Sequence, residues 1–185
     1  MSGIRVIAGS AKGRTLQQVP GDTTRPITDR VKESLFNILG TNLRGAAMVD
    51  LFAGTGSVGI EALSQGAAFA RFLDLEPRAI QTIQANLKIT RLEAKADVIR
   101  VDAFKWLERT PDRVFDYVFI APPQYKELWV RALEGVDAHP AWLTEDAWVI
   151  VQIDPREYAP KALQNLIEFD QRRYGNTLLV FYEVK

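Results

Sequence analysis

The stretch Asp50-Leu-Phe-Ala-Gly-Thr-Gly-Ser-Val-Gly-Ile-Glu61 decides how this chain is read. The apolar run Ala46-Ala-Met-Val-Asp-Leu-Phe52 enters it as a buried strand does. Gly54, Gly56 and Gly59 follow, and an amphipathic run from Ser57 to Gln65 leaves it as a helix. A strand, a tight turn and a helix N-terminus aim backbone N–H groups at whatever sits in the turn, and glycine lets a ligand approach that backbone closely. A nucleotide-like cofactor is the natural occupant.

The three glycines spell G-x-G-x-x-G, and Asp74 stands 20 residues beyond Gly54, where a ribose-binding acid belongs. NAD and S-adenosylmethionine both fit that pattern. Asp50 tilts the choice, because a carboxylate near the end of an apolar strand is costly unless something pairs with it. S-adenosylmethionine carries a sulfonium and an amino group and has no pyrophosphate, so it suits an acid-led loop better than NAD does.

Working outward, strands and helices alternate: strand 46–52, helix 57–66, strand 69–75, helix 77–90, strand 96–101, helix 103–109 and strand 114–121. That order predicts a parallel sheet with helices on both faces and ligands at the carboxyl ends of the strands. The candidate residues cluster there. Asp50, Phe52, Gly54 and Gly56 follow the first strand, Asp74 and Glu76 the second, and Asp102 with Ala103 the third. Asp74 or Glu76 is expected at the ribose hydroxyls, and Asp102 at an adenine amino group.

Ala121-Pro122-Pro123-Gln124-Tyr125 follows the fourth strand. Consecutive prolines stiffen the chain and leave the preceding carbonyls as fixed acceptors, while the Tyr125 ring is placed to stack on a flat base. Methylation of an exocyclic base amine needs such acceptors, which orient the nitrogen and help localise its lone pair toward a methyl donor.

Before the glycine loop, two short strands over residues 4–19 are expected to form a protruding hairpin with Lys12 and Arg14 at its tip. A helix from Asp29 then carries Val31, Leu35, Ile38 and Leu39 on one stripe, capped by Thr28 and closed by Gly40. Residues 1–44 hold four more basic than acidic side chains, although the whole chain balances 23 Lys plus Arg against 23 Asp plus Glu. A basic extension thus precedes a mildly acidic body from residue 45 to 185, and Arg5, Lys12, Arg14, Arg25 and Arg30 are candidates to meet RNA phosphates.

The chain has 185 residues, 47% of them apolar, enough for one full core. It contains no cysteine and one histidine, His139, which reads as a loop residue. Disulfides, cysteine metal sites and His-based metal clusters are excluded, so the cofactor expectation includes no metal. No signal-like start and no apolar run near the roughly 18 residues of a membrane helix occur, so a cytoplasmic protein without a membrane partner, a monomer, is expected. Toward the C-terminus, 147–153 reads as a fifth strand, 158–168 as a helix, and 169–174 with 177–184 as a closing hairpin. The four tryptophans favour the core, with Trp129 the one weighed for contact with substrate.

Taken in order, Ile4–Leu16, the Thr24–Leu39 helix, Asp50–Ala67, Leu73-Asp-Leu-Glu-Pro77 and the Pro-Pro turn resemble the bacterial RsmD family of 16S ribosomal RNA guanine-N2 methyltransferases. The resemblance spans nearly the whole chain. It implies a class I, Rossmann-like methyltransferase fold of the α/β class with a seven-stranded sheet, S-adenosylmethionine as donor, and a guanine in the assembling small ribosomal subunit as acceptor. It also implies that Asp50, Gly54 and Gly56 line the cofactor, that Asp74 is the ribose acid, and that the hairpin side with Arg25 and Arg30 faces RNA. One position departs from the family: Ala121 stands where its fourth-strand motif has Asp or Asn. Gln124, or the backbone carbonyls of Ala121 and Pro122, are the candidate substitutes. That departure keeps open a retargeted methyltransferase acting on another RNA or DNA, and a binding protein that keeps the cofactor and has lost transfer.

Overall fold

The computed structural model describes residues 3–21 and 26–185. The apolar runs pair into one seven-stranded sheet made of β1 (Ala47–Asp50), β2 (Phe69–Asp74), β3 (Ala96–Arg100), β4 (Phe115–Ile120), β5 (Leu143–Ile153), β6 (Leu166–Tyr174) and β7 (Thr177–Val184). Their order is β3-β2-β1-β4-β5-β7-β6, with β1 to β5 parallel and β7 inserted antiparallel between β5 and β6. The helices are α1 (Asp29–Leu39), α2 (Ser57–Ser64), α3 (Pro77–Thr90), α4 (Ala103–Leu107) and α5 (Leu128–Ala138).

Strand alternation divides the core in two. Met48, Phe72, Phe119, Ile150 and Phe181 meet Leu35 and Leu39 of α1, Ile60 and Leu63 of α2, and Ile83 and Leu87 of α3. On the opposite face Val49, Leu73, Val118, Ile120 and Val151 meet Trp106 of α4 and Trp129, Leu133 and Val136 of α5. Both faces are covered, which is why the central strands read as continuous apolar runs. The predicted class I methyltransferase architecture is the one found. No helix among the described residues is long and apolar enough to cross a membrane.

Three local expectations are corrected. The helix over 158–168 does not form. The Asp137 carboxylate accepts from the amides of Gln164, Asn165 and Leu166 and fixes the start of β6, which then pairs with β7 through Tyr174. Pro160 cannot donate within a helix, so pairing across the sheet wins over local spacing. A helix not foreseen, α5, follows the Pro-Pro turn and buries Trp129 to 2% exposure in the core. His139 closes α5 with its Nδ1 2.8 Å from the Gly135 carbonyl oxygen.

The N-terminal hairpin is reduced to one antiparallel bridge, Arg5 with Thr15, and its turn docks rather than protrudes. Ser10 N donates to the Ser64 carbonyl (2.8 Å) and Ala11 N to Ser64 Oγ (2.9 Å), at the far end of α2. Gly9 makes this approach possible: at φ +87°, a Cβ there would lie 1.8 Å from Ser64 O.

Candidate active site

Asp50 of β1 lies in register with Phe119 of β4 and Phe72 of β2, so these strands end at a common edge. A cleft of about 1010 Å³ opens along it, lined by Asp50, Phe52, Gly54, Asp74, Glu76, Asp102 and Ala103. Ala121, Pro122, Pro123 and Gln124 form its other wall. Of the residues predicted for the cofactor, Gly56 alone stands back from the lining. It is the left-handed residue (φ +81°) that starts α2, seated on Ile60 and Ile83. Gly59 serves packing instead, because a Cβ there would come 2.4 Å from the Phe72 ring.

The acids of this edge have different jobs. Asp50 is 2% exposed, accepts one hydrogen bond from Phe52 N at 3.2 Å, and has no ion-pair partner among the described residues. Burial pushes its carboxyl up to about 7; the Phe52 amide opposes that push and the Asp74 charge adds to it. Asp74 has both oxygens engaged by backbone, accepting from Gly54 N and from Glu76 N at 2.9 Å each. It therefore shapes the glycine loop, while the Glu76 side chain next to it is exposed and makes no cap bond to α3. Asp102 caps α4 through Oδ1, which accepts from Phe104 N and Lys105 N. Phe52 and Phe104 meet edge to face on the same wall, with centroids 6.1 Å apart.

A second cavity of about 560 Å³ adjoins the first, the two sharing Pro26, Ile27, Gln124, Gln152 and Thr177. Tyr125 lines this smaller one. Its φ of +61° is a costly conformation for a side-chain-bearing residue, held by three contacts with the turn after β5. Tyr125 N donates to Glu157 Oε1 (2.8 Å), its hydroxyl donates to Asp154 Oδ2 (2.8 Å), and Arg156 donates to that hydroxyl. Sharing the Asp154 hydrogen bond raises the tyrosine pKa, and the Arg156 guanidinium holds Asp154 far below the usual carboxylate range. The clamp engages the hydroxyl and leaves the residue 59% exposed beside the cavity.

The predicted basic residues scatter. Arg30 lines the smaller cavity, and Arg5 is exposed and paired with Asp29 at 2.8 Å. Lys12 and Arg14 are exposed on and beside the docked turn, at the end of α2 opposite the cleft. Arg25 lies outside the described residues. Three cations not singled out from sequence line the cavities instead: Arg78 and Lys126 on the larger, Arg156 on the smaller. Single charges in loops and helix starts carry no sequence signal of the cleft they reach. No group of three or more His, Asp or Glu able to hold a metal ion occurs among the described residues.

A family model described as conserved hypothetical protein 95, the RsmD family, matches residues 4–183. The chain belongs to the RsmD family. Among its relatives, the Bacillus subtilis protein YlbH, named as an rRNA methyltransferase, is 40% identical over 182 residues, 97% of this chain and 98% of YlbH. The Escherichia coli K12 protein named ribosomal RNA small subunit methyltransferase D is 32% identical over 164 residues, 88% of this chain and 80% of that one. The structure of the E. coli protein yhhF superposes with a TM-score of 0.87 at 30% identity, over 100% of this chain and 99% of that one. The fold extends further: an RNA methyltransferase from Salinibacter ruber, solved with S-adenosyl-L-homocysteine, gives a TM-score of 0.64 at 13% identity over 86% of this chain and 94% of that one.

Proposed function

We propose that this chain transfers a methyl group from S-adenosylmethionine to the exocyclic N2 of a guanine in 16S ribosomal RNA of the assembling small subunit. The observation that carries the donor assignment is Asp50: a buried carboxylate, without a cation among the described residues, on the wall of a cleft headed by a glycine loop. An amino-bearing ligand satisfies that charge; a pyrophosphate aggravates it. The residues present fit the cofactor, with Asp50 for its amino group, the Gly54–Thr55 backbone beside it, Asp74 or Glu76 for the ribose and the Asp102–Ala103 turn for the adenine. Bound there, S-adenosylmethionine supplies an electrophilic methyl on sulfur.

The protein's own share is orientation. The prolines at 122 and 123 hold the turn between the two cavities, Tyr125 offers a tethered ring for the base, and Gln124 lines the junction. A base in the smaller cavity would then present its amine toward the larger, and as the N–C bond formed the sulfur–methyl bond would break and the nitrogen would give up one proton to solvent. Among the described residues Arg30, Arg156, Arg78 and Lys126 line the two cavities, so the part of the N-terminal extension that faces RNA is the one around Pro26–Arg30, not the docked turn with Lys12 and Arg14. The relative named small subunit methyltransferase D supports an rRNA acceptor.

The test is transfer of labelled methyl from S-adenosylmethionine to 30S particles and naked 16S rRNA lacking the modification, followed by nucleoside mass spectrometry. N2-methylguanosine is the expected product. Cofactor binding without labelling of either substrate overturns the reading in favour of a non-catalytic RNA-binding factor. Labelling of adenine overturns the acceptor alone, the outcome Ala121 leaves room for.

A further inference from the structure

Gln152, on β5, lines both cavities at their junction, and its Oε1 is buried with no hydrogen-bond partner among the described residues. The amide nitrogen makes no hydrogen bond to the described residues either, and a half-turn of the terminal amide exchanges the two atoms. Buried polar atoms are nearly always paired, so an orphaned amide beside a cleft points to a partner that arrives with the ligand.

Its place in the sheet says what it accompanies. The last registered pair of β4 and β5 is Ile120 with Val151, which puts Gln152 beside Ala121 one step further along. Alternation turns both to the face of Phe119 and Ile150, the face that Asp50 shares through its register with Phe119. Across the antiparallel ladder Gln152 is opposite Leu179, which has no polar group to offer it. The position between donor and acceptor cavities thus lacks a polar side chain at 121 and has an unpaired one at 152.

We propose that Gln152 is the positioning residue that accepts a hydrogen bond from the exocyclic amine of the target base, the task a polar residue at 121 would perform. The inference rests on the methyl-transfer reading above. An acceptor on one N–H of the amine fixes the nitrogen's orientation and leaves its lone pair directed at the methyl donor. An amide is not a base, so it steers the nucleophile without taking the proton, which passes to solvent.

The experiment compares wild type, Gln152→Met and Gln152→Met with Ala121→Asn. It reads transfer kinetics on 30S particles, S-adenosylhomocysteine binding and the melting temperature. Methionine fills the glutamine's volume and removes only an unpaired amide, so the melt and the cofactor affinity are expected to hold. kcat is expected to fall roughly ten- to a hundredfold, the consequence of one lost hydrogen bond in the transition state, and the asparagine at 121 is expected to restore most of it. An unchanged kcat overturns the proposal, as does a loss of activity that tracks a lowered melting temperature and is not rescued at 121. If wild type methylates adenine or another RNA, the functional reading falls while the same variants still decide Gln152, since an exocyclic amine is common to both. A wild type inert on every RNA overturns both.

Discussion

Lys32 Nζ lies 3.4 Å from Glu61 Oε1 with neither side chain reaching solvent. The lysine also donates to the Arg5 carbonyl and to Ser57 Oγ (2.9 Å), while the glutamate accepts from the amides of Ile7 (2.8 Å) and Ala8 (3.2 Å). One buried ion pair therefore ties the N-terminal segment to α1 and to α2 where the glycine loop ends. Burial holds the lysine pKa below its ordinary value despite the pull of Glu61. Such a pair adds little over an apolar one, but breaking it strands a charge, at a cost of about 3–5 kcal/mol. Lys32→Met is expected to lower the melting temperature by roughly 10 °C. The double variant Lys32→Met with Glu61→Gln is expected to recover part of that loss. Additive losses in a thermal-melt double-mutant cycle would show the two residues to be uncoupled.

The docked N-terminal turn depends on Gly9. Alanine there combines a disfavoured positive φ with a Cβ 1.8 Å from a backbone oxygen, and backbone cannot rotate aside as a side chain can. Gly9→Ala is expected to undock the turn and release the amides of Ser10 and Ala11 from Ser64. Hydrogen exchange reads this directly: both amides should exchange at least tenfold faster while those of β1 and β4 keep their protection. Unchanged protection at Ser10 and Ala11 would contradict the docking geometry.

What could be read ahead of the structure followed from local patterns. Thr28 accepts from Val31 N as a helix cap and Gly40 closes α1, because capping chemistry acts over three residues. Asp50 stood out because an acid in an apolar strand needs a reason, and the sheet edge followed from strand and helix order. One miss is local: α5 carries Trp129, Ala132, Leu133 and Val136 at helical spacing, a stripe its own sequence already holds. The others are non-local. Lys32 and Glu61 sit on different helices, and charged residues in amphipathic runs read as solvated faces. Residues 158–168 have helix-like spacing, and only Asp137, more than twenty residues earlier, decides that they lead into a strand. Gln152 looks like one polar position in an alternating strand, and its orphaned oxygen exists only once Ala121 and Leu179 are placed beside it.

The Asp50 carboxyl gives the site a pH dependence of determinable sign. Its folded pKa, about 7, lies above the ordinary value of 3.8, so its contribution to stability is full below about pH 4 and is lost as pH rises through 7. An amino-bearing ligand favours the ionised form, so binding displaces the proton. S-adenosylhomocysteine affinity is expected to rise between pH 5.5 and 7.5, with proton release visible as a buffer-dependent enthalpy in calorimetry. Asp50→Asn should flatten both dependences and weaken binding at pH 7.5 by at least about tenfold, the loss of a charge-assisted hydrogen bond. A wild-type affinity that stays level across this range would mean that Asp50 meets no cationic group.

Asp74 and Glu76 separate loop shaping from ligand contact. Each Asp74 oxygen accepts one backbone N–H, from Gly54 and from Glu76, so Asp74→Asn leaves one of the two facing an amide NH2 group. The glycine loop then loses its anchor, and cofactor affinity is expected to fall more than tenfold with a melting temperature lowered by a few degrees. Glu76 is exposed and bonds no backbone amide of α3, so Glu76→Gln should leave the melt unchanged. If its carboxylate takes a ribose hydroxyl, affinity for S-adenosylhomocysteine should drop about tenfold while affinity for homocysteine, which lacks the ribose, stays the same. Equal effects on the two ligands would place Glu76 away from the ribose and return that role to the one acid whose oxygens are already committed to the loop.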